Sequence, residues 1–310
     1  MFRNILFQYS NTATEVKALS CTIELANYSG ANITVLANYE SVPKMFHQYE
    51  TTLKDGLEAS IKQKIKEAFA ISGVAESSVV VQIKVCASDH PFLNTVKETL
   101  ANHFDLVTKE LIKGGHQNTI CSADMSLLRK CPTPVFLFHE KCKPISQSKI
   151  YSALKVEAEM DSTDEMQSNY LFQIGRYLSG ITKTQTHIVS CYDTAAFELV
   201  NTLSLSRLEP DIISDAVRTL KNTHYMLVNK LITRHKVTDI QFKQLNGLPS
   251  EQIPKFVAKE KVDCLIIGTT SKSNIAGYLM GSISEDVIKA SNCSIFAIKP
   301  PGFNSPISLC

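Results

Sequence analysis

Near the C-terminus the chain reads DCLIIGTTSKSNIAGYLMGSISEDVIKASNCSIFAIKPP, from Asp263 to Pro301, and these residue types have the layout of a phosphate cradle. An apolar run leads into Gly268, a polar loop carries Ser271, Lys272, Ser273 and Asn274, and Gly281-Ser282 opens a segment of helical period. A phosphate needs backbone N–H groups turned towards it, and a helix N-terminus supplies those donors together with a partial positive charge. Gly268 has no Cβ, so backbone there can approach a ligand closely. Lys272 brings an ammonium into the same loop, whereas Ser271, Ser273 and Asn274 stand where glycines would serve a cradle best.

Other residue constellations read more simply. No G-x-x-x-x-G-K-[ST] run occurs, which excludes a P-loop ATPase. His224 and His235 are eleven apart on one helical segment without a nearby cysteine, so they are read as surface or interface histidines and no metal site is assigned. Asp89 and His90, in SDHPF, are read as a turn into a helix opened by Pro91. Ser282 and Ser284 with Glu285 have no histidine nearby and are read as a helix cap with a first-turn carboxylate. No catalytic residue is assigned.

Short apolar runs rich in β-branched residues alternate with stretches of helical period. Strands are predicted over 4–8, 32–37, 79–85, 104–108 and 134–138, and again over 149–156, 186–191, 239–242, 264–268 and 294–298. Helices are predicted between them over 12–28, 55–71, 92–102 and 124–130, then 164–178, 211–235, 251–260 and 284–290. On the 211–235 helix, Ile212, Val217, Leu220, Met226, Leu227, Leu231 and Ile232 are read mostly as a core stripe. Near-strict alternation implies right-handed βαβ units and an α/β fold, with helices on both faces of a doubly wound sheet.

The order of elements occurs twice. PFLNTVKETLANHFDLV from Pro91 aligns without a gap on PSEQIPKFVAKEKVDCL from Pro249, placing Asp105 on Asp263 at an offset of 158. LLRKCPTPVFLF matches KASNCSIFAIKP through Cys131 and Cys293 at an offset of 162, which places a four-residue insertion in the Gly268–Gly281 loop. Two repeats are expected, 1–140 and 149–302, separated by the linker HEKCKPISQS. Their natural meeting places are the strands in TPVFLFHE and CSIFAIKP.

Composition agrees with two soluble domains: 310 residues, 44% apolar, 20% charged, formal net charge +2. No Lys/Arg block suits nucleic acid or a membrane surface, and no run approaches the ~18 apolar residues of a membrane helix. The N-terminus turns polar after about seven residues, too soon for a signal peptide. The nine cysteines lack a CxxC pair and are read mostly as reduced core thiols, which points to the cytoplasm.

A strand ending in glycine, Gly281-Ser282 thirteen residues further on, a helix, and a strand closing with IKPP resemble the universal stress protein family, whose loop has the form G-x2-G-x9-G-[ST]. The duplicated chain looks like the tandem members of the E type. The resemblance implies two tandem open, doubly wound, five-stranded parallel sheets of the adenine nucleotide alpha-hydrolase-like kind. It also implies a role in stress survival and regulation. Members of the family divide into ATP-binding and non-binding kinds.

On that resemblance Gly268 is the loop's first glycine, and Gly281 and Ser282 keep the helix end. Ser271 replaces the second glycine, at a cost of roughly 1–2 kcal/mol if the position needs a left-handed backbone. Asn274, at a further glycine position, tolerates that conformation, and Lys272 sits where nucleotide-binding relatives often carry a basic residue. The carboxylate that holds the adenine or ribose end in ATP-binding relatives is replaced by Lys155, a donor that cannot act as an acceptor. Asp161 would substitute only if the strand ran longer. In the first repeat the counterpart of Gly268 is Glu110 and that of Gly281-Ser282 is Thr119-Ile120, with Gly114-Gly115 out of register, so that half is expected not to bind ATP.

The reading that results is a non-enzymatic stress protein with a degraded nucleotide-type cleft, acting through protein partners, self-association or a bound small metabolite. An ATP-binding, slowly hydrolysing protein that uses the second repeat, and a small-ligand carrier, stand as alternatives.

Overall fold

The computed structural model describes residues 1–114, 119–194, 210–269 and 280–308. The first half comprises β1 (Asn4–Tyr9), α1 (Glu15–Ser29), β2 (Asn32–Tyr39), α2 (Glu50–Ser72), β3 (Val81–Ala87), α3 (Pro91–Ala101), β4 (Leu106–Glu110), the short pair β5 (Lys113–Gly114) and β6 (Thr119–Ile120), α4 (Ser122–Lys130) and β7 (Val135–Phe138). The second comprises β8 (Ile150–Ala153), α5 (Ser162–Thr182), β9 (Thr186–Tyr192), α6 (Pro210–Arg234), β10 (Ile240–Asn246), α7 (Pro249–Glu260), β11 (Cys264–Gly268), α8 (Ser282–Ala290) and β12 (Ser294–Ile298). Every predicted strand and helix is present, with shifted ends.

Each half contributes five parallel strands, and the two sets join edge to edge in one ten-stranded sheet of order β10-β9-β8-β11-β12-β7-β4-β1-β2-β3. The join is the antiparallel pair β7–β12, with Phe136 opposite Phe296, where the sequence placed the meeting of the repeats. Their rings lie 4.7 Å apart between centroids, and Phe138 lies 4.0 Å from Phe136. Aromatic pairs of this kind add about 0.5–1.5 kcal/mol beyond the area they bury.

Strand side chains alternate between faces, so each strand feeds two cores. Phe7, Phe136 and Phe296 face the side covered by α1, α2, α5 and α6. Leu6, Leu137 and Ile295 face the side covered by α3, α4, α7 and α8.

The repeat extends to single interactions. The Asp105 carboxylate accepts the Arg3 N–H at 2.7 Å and Asp263 accepts the Lys149 N–H at 2.9 Å, each tying down the start of its half's first strand. Register also corrects the insertion. Val107 pairs with Val135 and Leu265 with Ile295, so Leu265 follows Val107 by 158 residues and Ile295 follows Val135 by 160. The N-caps of α4 and α8, Cys121 and Gly281, are 160 apart as well. Two residues, not four, are inserted, and the counterpart of Gly281-Ser282 is Cys121-Ser122 rather than Thr119-Ile120. The shared cysteine of the aligned letters is a coincidence of composition; strand pairing sets the equivalence.

Helix α6 turns inward only part of the expected stripe, with Leu231 in the core and Leu227 and Ile232 packed against it. Its buried positions are His224, Val228 and Leu231, at helical spacing, while Ile212 and Met226 are exposed. Apolar residues lie all round this helix, and the inward face is the one on which His224 finds polar partners. Among the described residues no helix is long and apolar enough to cross a membrane.

Candidate functional site

Open parallel sheets bind ligands beyond the C-terminal ends of their strands. In the second half β8 ends at Ala153 and β11 at Gly268, and α8 begins at Ser282 after Gly281. These elements bring Lys155, Gly268, Gly281 and Ser282 to one end of the half-sheet. Ser271, Lys272 and Asn274 lie outside the described residues.

Gly268 is closely approached, but by the protein itself. A Cβ placed on it would lie 2.7 Å from both Cδ and Oε1 of Gln167. Gln167 is buried, and its amide donates to the Ile298 carbonyl at 3.1 Å. The Thr269 N–H donates to the same carbonyl at 3.0 Å. On the first turn of α8, Ser284 Oγ donates to the Gly268 carbonyl at 2.7 Å, tethering helix to strand end. The cap is therefore arranged differently from the sequence reading. Gly281 is the N-cap without a side-chain cap bond, Ser284 reaches the strand, and Glu285 pairs across the halves with Arg129 at 2.5 Å and with Lys289 at 2.7 Å. The Lys289 hydrogen bond, and then the one from Arg129, outweigh burial and hold the Glu285 carboxyl below its ordinary range.

Lys155 is likewise engaged. It pairs with the buried Asp164 carboxylate and lies 3.7 Å from Glu157, while its carbonyl accepts Ser168 Oγ at 2.8 Å. Burial opposes its charge, but the Asp164 hydrogen bond and the charges of Glu157, Asp164 and Asp161 outweigh it and raise the pKa. Asp161 does not extend the strand. It is the N-cap of α5 and accepts the Asp164 N–H at 2.8 Å.

The first half fills the equivalent end with carboxylates. Glu110, which follows the register to Gly268, is buried and accepts hydrogen bonds from Thr12 and Thr14. Glu15, 1% exposed, accepts the Ser10 N–H and has Lys64 at 3.7 Å. Burial pushes its pKa up to about 7, against the pull of Ser10 and Lys64 and with the help of Glu110. At the start of α4 the buried Asp124 pairs with buried Lys109 and accepts the Ile112 N–H at 2.8 Å. A carboxylate of the chain thus stands at the helix end that a phosphate would need. Glu15, Asp124 and Gln167 carry no local signature; Gln167 sits in MQSNYLF like any helix-surface residue, and only packing shows its role.

The two histidines differ, His224 being buried and His235 half-buried. His224 is buried, not at a surface or interface, and bonds Ser190 Oγ at 2.9 Å and Gln244 Nε2 at 2.8 Å. Burial lowers its pKa, which keeps the ring neutral. His235 bonds Asn169 at 2.9 Å and stacks on Phe172 at 4.5 Å, so the two rings serve separate partners. Among the described residues no group of three or more His, Cys, Asp and Glu is arranged to hold a metal. Asp89 accepts the Ser41 N–H at 3.0 Å and Pro91 opens α3, the turn expected from SDHPF.

A cleft of about 810 Å³ lies at the seam of the halves, among Leu100, Phe104, Met166, Tyr170, Lys299 and Phe303. Lys299 Nζ donates to the last-turn carbonyls of α4, at 3.1 Å to Arg129 and also to Leu128. Burial lowers its pKa to about 8.

A model of the universal stress protein family matches residues 168–299. The chain is 22% identical over 320 residues to universal stress protein E of Salmonella typhi, covering 100% of this chain and 98% of that protein, with the same figures for universal stress protein E of Escherichia coli strain K12. Among solved structures, a putative universal stress protein from Pseudomonas aeruginosa UCBPP-PA14 superposes with a TM-score of 0.68 at 18% identity, over 96% of this chain and 94% of that one. A universal stress protein from Archaeoglobus fulgidus gives a TM-score of 0.60 at 14% identity, over 96% and 98%.

Proposed function

The chain belongs to the universal stress protein family as a tandem, E-like protein, and on that premise we propose that it is a non-enzymatic member with a regulatory or protective role in the stress response. Its repeats are 1–140 and 149–302, and it works in the cytoplasm through protein partners or self-association. Gly268, Ser271, Lys272, Gly281 and Ser282 are the remnant of a phosphate loop, and Lys155 holds the place of a lost carboxylate.

The observation that carries this reading is the occupation of the second-half cleft by its own side chain. Gln167 packs directly against Gly268, so backbone there is approached by the protein's own side chain and not left free for a ligand. Lys155 is already committed to Asp164. In the first half the side chains of Glu15, Glu110 and Asp124 occupy the equivalent end.

Calorimetric titration of the purified protein with ATP and magnesium tests it, and the expected result is no binding in the micromolar range. Micromolar binding that disappears on Gly281→Asp would replace this reading with the ATP-binding one. A simple reversal of the motif losses, Ser271→Gly with Lys155→Asp, is expected to fail, because it replaces the cation that pairs with Asp164 and Glu157 by a like charge. Adding Gln167→Ala and Asp164→Asn to that pair is the version expected to admit a nucleotide.

The seam cleft favours a second reading, a carrier of a small metabolite, since about 810 Å³ is ample for one. Native mass spectrometry of protein taken directly from cells checks it: a co-purifying mass supports a carrier, and a clean apo mass removes it.

A further inference from the structure

Cys21 lies on α1 and Cys142 lies in the segment that joins the two halves, 121 positions away in sequence. Cys21 is buried and Cys142 half-buried. The Cys21 thiol has two acceptors within reach, the Cys142 sulfur at 3.9 Å and the Lys143 carbonyl at 3.2 Å. No other pair of cysteine sulfurs is hydrogen-bonded among the described residues.

The joining segment is held against this thiol from several sides. Glu24, three positions after Cys21 on α1, accepts the N–H groups of Ile145 at 2.6 Å and Ser146 at 2.9 Å. Lys143 pairs with Asp263 at 2.9 Å. The Cys142 N–H closes a turn onto the His139 carbonyl at 2.8 Å. Residues far apart in sequence are thereby pre-positioned, and the sulfurs need approach by only about 2 Å to reach disulfide distance.

We propose that Cys21 and Cys142 form a peroxide-reactive dithiol, in which a hydroperoxide oxidises Cys142 and Cys21 resolves the product to a disulfide that pins the joining segment to α1. The two sulfurs are electrostatically unlike. The hydrogen bond to Cys142, and then burial, hold the Cys21 thiol protonated. Donation of that bond, helped by Lys17 and opposed by burial, holds the Cys142 thiol below its ordinary pKa. The half-buried Cys142 is the sulfur a peroxide reaches and Cys21 lies buried behind it, so Cys142 attacks as the thiolate and Cys21 resolves.

The Cys142 thiolate attacks one oxygen of the hydroperoxide; an S–O bond forms, the O–O bond breaks, and the departing oxygen takes a proton to leave as water or an alcohol. Cys21 sulfur then attacks Cys142 sulfur; the S–S bond forms, the S–O bond breaks, and hydroxide leaves as water with the Cys21 proton. In total two thiols give up two electrons and two protons, and the hydroperoxide is reduced. The dithiol is independent of the strand-end clefts, so it stands whether or not a nucleotide binds there.

The test is treatment of the fully reduced, full-length protein with one equivalent of hydrogen peroxide, followed by alkylation, non-reducing digestion and mass spectrometry. The expected product is a cross-linked peptide pair containing Cys21 and Cys142, about 2 Da lighter than the two thiols and formed ahead of oxidation at Cys86, Cys121 or Cys191. In Cys21→Ser a dimedone adduct should accumulate on Cys142, and in Cys142→Ser peroxide consumption should fall at least tenfold. First oxidation at another cysteine, or a stable Cys142 adduct in the unaltered protein without cross-link, overturns the proposal. Because mapping on the unaltered protein decides the matter alone, poor folding of either serine variant does not weaken the test.

Discussion

The two halves share one topology yet close their strand ends by different chemistry. In the first, Glu110 stands at the end of β4, beside Glu15, Thr12 and Thr14, and Asp124 joins α4 to the chain ahead of it through Ile112. In the second, Gly268 takes the place of Glu110 and Ser284, on the first turn of α8, takes that of Asp124, joining helix to strand by a neutral hydrogen bond. The first arrangement fills its strand end with carboxyl groups of the chain itself. The second has the glycine, with the Gln167 amide packed against it. The same strand end can therefore be filled by a side chain of its own strand or by one from a neighbouring helix.

The comparison breaks most sharply at the Lys109–Asp124 pair, whose side chains are 3% and 1% exposed. Removing one partner of a buried pair strands the other charge. Asp124→Ala is expected to cost about 3–5 kcal/mol in urea unfolding, whereas Ser284→Ala in the other half should cost about 1 kcal/mol. Pairing Asp124→Leu with Lys109→Met should recover most of the loss.

Next in size is the titration of Glu15. Its folded pKa of about 7 lies above the ordinary 4.5, so folding favours the protonated form. Its contribution is fully present below pH 4.5 and is lost as pH rises through 7, up to about 3 kcal/mol at 1.36 kcal/mol per unit. Glu15→Gln should remove that downward slope in stability between pH 4.5 and 8, as followed by thermal or urea unfolding. An unchanged slope would show that the Ser10 and Lys64 interactions fully offset burial.

The smallest effect sharpens the second half. Gly268→Ala pushes a methyl against Gln167 and should cost about 1–2 kcal/mol. With Gln167→Ala already in place the same change should cost under about 0.5 kcal/mol, a coupling that a double-mutant cycle measures. Equal costs in both backgrounds would mean that Gln167 does not occupy that space.

Much of the architecture was legible beforehand. Period-2 and period-3.6 apolar patterns are local properties, so all ten main strands and eight helices were found in order, and the Asp105–Asp263 alignment identified two carboxylates that do the same work. The inward face of α6 was not legible, since apolar residues surround that helix and His224 became a core residue only by meeting Ser190 and Gln244. Nor was the length of the insertion, which letters put at four and strand register puts at two.

By itself, then, the sequence determined the α/β class, the duplication and the seam between TPVFLFHE and CSIFAIKP, because each is written in contiguous residues. What stands in the two clefts was decided only by tertiary structure. Gln167 reaches Gly268 across 101 positions, Thr12 reaches Glu110 across 98, and Cys21 reaches Cys142 across 121. No local pattern encodes such meetings, since a side chain's partner depends on how the helices seat against the sheet rather than on its neighbours in the chain.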